Sequence, residues 1–82
     1  MIQVRHQPEF LAHADALECW ARARERAVLV LECEAEHALR WGLVDQALRL
    51  RSAASHLRQA ALEERRRAAQ LLEATAAPAH SA

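Results

Sequence analysis

The sequence predicts an all-α fold: an antiparallel two-helix hairpin of the Ala/Leu coiled-coil kind, completed into a helical bundle by a second copy or a partner. Three observations predict it. The 82 residues hold one Gly and two Pro, so few turns are available, and alanine is the largest contributor to a 52% hydrophobic composition. The single Gly, Gly42, falls at the midpoint of the chain. On either side of it, small and large apolar residues recur with a heptad period. One Phe and no Tyr leave too few aromatics for a multi-strand β domain. A chain this short buries too little surface to be comfortable alone, hence the expectation of a partner or a second copy.

Taken in order, residues 1–7 read as a short lead. Pro8 suits the first turn of a helix, and Glu9 follows where the helix dipole favours an acid. The first helix is expected over residues 8–41 and the turn over 42–44. Gly42 there supplies a left-handed C-cap and Asp45 caps the next helix. The second helix is expected over 45–75, and residues 76–82 read as a tail.

With Ala14, Ala21, Val28 and Ala35 at heptad position a, position d of the first helix holds Leu17, Arg24, Leu31 and Ala38. In the second helix a is Ala47, Ala54, Ala61 and Ala68, and d is Leu50, Leu57, Glu64 and Leu71. Folding about Gly42 sets Ala35 opposite Leu50, Leu31 opposite Ala54, Val28 opposite Leu57, Leu17 opposite Ala68 and Ala14 opposite Leu71. Small meets large in nearly every layer, which fills a seam without voids. Position e then holds Glu18, Glu25 and Glu32 on one helix and Arg51, Arg58 and Arg65 on the other. The expected rungs are Glu32–Arg51, Glu25–Arg58 and Glu18–Arg65. Exposed rungs contribute little to stability, but they penalise parallel or slipped arrangements. Arg24 and Glu64 break the apolar rule in adjacent layers and are expected to meet inside the seam. That pair reads first as an ion pair fixing register, and second as a polar notch for a partner.

Charge and spacing exclude several function classes. Eleven Arg balance eleven acids, which argues against an electrostatic nucleic-acid binder. Arg65-Arg66-Arg67 is offset by Glu63 and Glu64, and cations near a helix C-terminus are favourable in any case. No apolar run is long enough for membrane insertion, and the first residues lack the pattern of a secretory signal. Two cysteines are too few for a disulfide scaffold. Cys19 and Cys33, two heptads apart on one outward face, stand roughly 21 Å from each other and cannot bridge within the helix. They fit a reduced, cytoplasmic chain. Glu34 and His37 have the Glu-x-x-His spacing of carboxylate-bridged di-metal bundles, but no second such motif follows, so metal binding is the lesser reading. No cofactor is expected. No Ser or Cys is set beside a base and an orienting acid, so the chain is not expected to be an enzyme.

The side opposite the Glu/Arg rungs carries the better lead. Positions g and c give Ala16, Trp20, Ala23, Ala27, Val30 and Trp41, joined by Ala53 and Ala60 from the second helix. An apolar stripe with Trp anchors and no partner in its own hairpin is expected to be the partner-binding surface.

The turn Arg40-Trp41-Gly42 leading into Asp45-Gln46-Ala47, between Ala/Leu heptads, resembles the small helical-hairpin co-chaperones of type III secretion needle subunits. The resemblance implies a cytoplasmic hairpin that clasps a larger helical partner and helps keep a needle subunit from polymerising. The chain departs from that pattern in its longer first helix and in the Trp at its turn. Trp41-Gly42 is also similar to the Trp-x-Gly turn of secreted hairpin proteins, but lacks the intervening residue. The function expected is therefore a protein-binding module, an adaptor or secretion co-chaperone. The alternative is a self-associating four-helix bundle of the phage or plasmid regulator type, or a dimer binding metal through Glu34 and His37.

Overall fold

A computed structural model describes the backbone of residues 2–76 and the side chains of residues 8–75. It contains two helices, α1 (Ile2–Arg40) and α2 (Val44–Ala76), folded back on each other. The described chain measures 63 × 18 × 11 Å along its principal axes, a rod rather than a ball. The predicted all-α two-helix hairpin is the observed fold.

The boundaries differ from the sequence reading at both ends of each helix. Residues 2–7, read as a lead, belong to α1, and Pro8 lies inside the helix. Proline fixes φ in the helical range and forfeits one hydrogen bond, and near the start of a long helix that loss does not end it. The first helix stops at Arg40 rather than 41. The second starts at Val44, which puts Asp45 inside its first turn, where the carboxylate faces the positive end of the dipole. The carbonyl of Leu43 accepts the first bond of α2 from the Ala47 amide at 3.0 Å, so Leu43 takes the capping place expected of Asp45. Of the predicted tail, Ala76 is the last residue of α2 and the remainder lies outside the described residues.

The turn is a Schellman motif. The Leu43 amide donates to the Ala38 carbonyl at 2.8 Å and the Gly42 amide to the Leu39 carbonyl at 3.0 Å. Closing it requires a left-handed residue, and Gly42 supplies φ of 75°.

The seam follows the heptads. All eight a positions are buried: Ala14, Ala21, Val28 and Ala35 on α1, and Ala47, Ala54, Ala61 and Ala68 on α2. At the open end Ala14 and Leu17 pack with Ala68 and Leu71; at the turn end Ala35 and Ala38 pack with Ala47 and Leu50. These are the layers read from the sequence. The two seam positions are not equivalent, however. Leu17 is fully buried at d, but Leu31, Leu50, Leu57 and Leu71 are only half-buried. The alanine row closes the seam, and the leucine row spills out of one side of it.

The ion pairs lie on the other side and are staggered relative to the expected rungs. Glu18–Arg65 forms, with Nη1 to Oε1 at 2.5 Å, but the same guanidinium also holds Glu25, with Nε and Nη2 at 3.0 and 2.6 Å. Arg58 pairs with Glu32 rather than Glu25, and the Glu32–Arg51 rung is absent. Side-chain direction explains the stagger. Side chains lean toward the N-terminus of their own helix, so the arginines of α2 reach toward the turn and the glutamates of α1 reach away from it. An arginine therefore reaches the acid one heptad nearer the turn: Arg58 takes Glu32 in place of Glu25, and Arg65 takes Glu25 while keeping its expected partner Glu18. The Arg65 hydrogen bond holds the Glu25 carboxyl below the ordinary carboxylate range, and the same bond raises the Arg65 pKa.

Candidate docking surface

Helical geometry sorts the hairpin into two flanks. On one, heptad position e flanks the alanine row and carries Glu18, Glu25, Glu32, Arg58 and Arg65 in the ion-pair ladder. On the other, position g flanks the leucine row.

On the second flank, Trp20, Ala23 and Ala27 of α1 line a shallow groove of about 260 Å³ with Arg24 and with Leu57 of α2. Three of the seven residues expected to bind a partner thus meet in one depression. The other four, Val30, Trp41, Ala53 and Ala60, do not line it. Val30 is 58% and Trp20 55% exposed, both far above what a buried anchor shows, so neither is used by the hairpin itself. Ala23 and Ala53 are exposed, whereas Ala27 and Ala60 are half-buried beside the seam.

Trp41 stands apart from the other residues expected to bind a partner, and is 71% exposed. It lies in the turn, roughly 31 Å along the helix from Trp20 by residue rise, so the two indoles do not form one patch. Its Nε1–H donates to His37 Nε2 at 3.1 Å, and the rings meet edge to face with centroids 6.3 Å apart. This contact engages one of the two ring nitrogens through which His37 could hold a metal. Cys33, Glu34 and His37 do line a common depression at the turn end with Ala38, Leu43 and Gln46. Among the described residues, no group of three or more His, Cys, Asp or Glu is arranged to hold a metal ion. Cys19 and Cys33 are exposed free thiols.

The groove is mostly apolar, and Arg24 is the one charged residue that lines it. Arg24 Nε donates to both oxygens of Glu64, each at 2.9 Å, as the d positions in adjacent layers implied. The two partners differ in depth: the Glu64 side chain is 8% exposed and that of Arg24 is 40%. One nitrogen of Arg24 serves the whole carboxylate. Among the described residues its two Nη groups make no hydrogen bond or ion pair.

One feature escaped the sequence reading. The ladder flank is not purely charged, because Leu11 and Leu72 lie exposed at its open end. Leu39 and Leu48 are exposed toward its turn end, and Leu29 and Leu62 along its outer edges. The signal was present in the sequence, as leucines at position b and, between the charges, at position e. A partner covering this flank would have to dehydrate Glu18, Glu25, Glu32, Arg58 and Arg65 together. The Trp20 flank carries no such ladder and is the cheaper one to dry.

Among the described residues no helix is long and apolar enough to cross a membrane. Compared with protein families, curated proteins and solved structures, the chain matches none.

Proposed function

We propose that this chain is a non-enzymatic protein-binding module of the cytoplasm whose working surface is the Trp20 flank of the hairpin. The observation that carries the reading is the asymmetry of the seam. Four leucines of the d row stay half-buried on the same flank that exposes Trp20 and Val30, so large apolar side chains gather where the hairpin offers no cover. Burying each such side chain is worth roughly 1.5–3 kcal/mol relative to full exposure. A helical surface laid along the rod supplies that cover, and long helices present complementary ridges for such a groove. An adaptor of the kind represented by the secretion co-chaperones fits this reading, with the Schellman turn and alanine seam holding two helices close enough to act as a rigid clasp. A self-associating bundle fits it as well, and the Arg24–Glu64 pair favours that version.

Replacing both Trp20 and Val30 by Glu tests the reading. Neither residue contributes to the alanine row or the ladder, so circular dichroism should show the hairpin still helical. Association, with itself or with a helical partner, should be lost. If the double variant keeps its native mass and its partners, the flank is ordinary surface.

A further inference from the structure

We infer that the occupant of the Trp20 flank is a second copy of this chain, laid on about a twofold axis parallel to the hairpin, turn beside turn. A ring of two Arg24 and two Glu64 side chains then closes at its centre. This rests on the Trp20 flank being the docking surface and adds what covers it and how.

The argument is one of charge complementarity. Within one hairpin, Glu64 is buried, while Arg24 is 40% exposed, lines the groove and bonds Glu64 through Nε alone. A surface that covers the groove strands the other N–H groups of Arg24 unless it brings an acceptor at that level, and an unpaired buried donor of this kind is costly. A twofold axis parallel to the helices leaves every residue at its own level and lays α1 on the partner's α2. Arg24 then stands at the level of the partner's Glu64, as it stands at the level of its own. The four charges alternate around the axis and sum to zero.

Other charges on the flank agree. Glu34 and Arg49 have no ion-pair partner within the hairpin among the described residues, and the same axis places each at the level of the other across the interface. Trp20 comes to the level of the partner's Arg67, a favourable place for a guanidinium over an indole. Ala27 meets the partner's Ala60, small against small, which lets the two layers approach. A perpendicular twofold through this level, laying α1 on α1, brings Arg24 toward Arg24 and Glu64 toward Glu64. The flank is also large enough: 63 by 18 Å is roughly 1,100 Å² in projection, against the roughly 800 Å² per partner of a standard stable interface.

Light scattering after gel filtration should give the wild-type chain a mass of two copies. Arg24→Glu and Glu64→Arg should each run as a single chain. Mixed in equal amounts they should regain the two-copy mass, because each supplies across the axis the charge the other lacks. Where a single change unfolds the hairpin, as circular dichroism would reveal, cysteine pairing decides. With Cys19 and Cys33 replaced by Ser, a chain carrying Ala27→Cys should form a disulfide with a chain carrying Ala60→Cys, and not with itself. A wild-type mass of one chain, or Ala27→Cys chains linking to one another, overturns the inference. A one-chain mass with Trp20-dependent binding of another helical protein would leave the proposed function standing without it. A two-copy mass unmoved by Trp20→Glu with Val30→Glu removes both.

Discussion

Truncating Leu17 to Ala is the most direct trial of the seam. Leu17 is the largest fully buried side chain among the described residues, 1% exposed, and packs with Ala14, Ala68 and Leu71. Two of those neighbours are alanines, with no rotamers to swing into the vacated space, and helix backbones move inward only as whole units. The site therefore keeps most of its cavity, and the loss should sit near the middle of the Leu→Ala range, about 3–4 kcal/mol. A chain of this size has a total stability on the order of 4–12 kcal/mol, so the change removes a large share of it. With a urea slope of about 1–1.5 kcal/mol/M, the unfolding midpoint should fall by roughly 2–4 M. The assay is urea denaturation followed by circular dichroism, with wild type and variant at equal protein concentration. Leu29→Ala serves as control, since Leu29 is 67% exposed and should move the midpoint little. If Leu17→Ala proves no worse than Leu29→Ala, the layers described here do not hold the helices together.

The stagger of the ladder predicts where coupling lies. A double-mutant cycle should find Glu25 coupled to Arg65 and uncoupled from Arg58, by urea midpoints at low salt. Because Arg65 holds the Glu25 carboxyl below its ordinary range, the pair's contribution is complete above that range and is lost as pH falls through the lowered folded value. Arg65→Ala should flatten that acid limb. Gly42→Ala should cost about 1–2 kcal/mol from the left-handed backbone alone, since an added Cβ meets nothing within 4 Å. Gly42→Asn should cost less, and equal midpoints for both would argue against a backbone origin.

How far the sequence could be read depended on whether one period or two interactions decided the outcome. The a and d rows needed only the heptad and one Gly, and Ala35, Ala47 and Leu50 meet as the numbering implied. Arg24 and Glu64 were legible for the same reason, being charges at positions the period assigns to the seam. The ladder was only partly legible, because pairing residues by level ignores the direction in which a long side chain leaves its helix. The boundary at Ile2 was hidden by Pro8, whose local preference yields to a helix that continues past it. Trp41 was misplaced because its heptad letter has no meaning once the Schellman turn has begun at Ala38. No periodicity reveals that Arg24 bonds Glu64 through Nε alone, because that depends on the side-chain torsions.

The alanine row has a thermal consequence. Eight of the ten buried hydrophobic residues among the described residues are alanines, each with a single methyl to hide. Unfolding such a seam hydrates less apolar surface than unfolding a leucine core of equal length, and the heat-capacity increment scales with that surface. The stability curve of a single hairpin is accordingly shallow: its maximum is low, and warming or cooling by tens of degrees changes it slowly. Covering the leucine row steepens it, so the curvature of the melting profile reports whether the hairpin is alone.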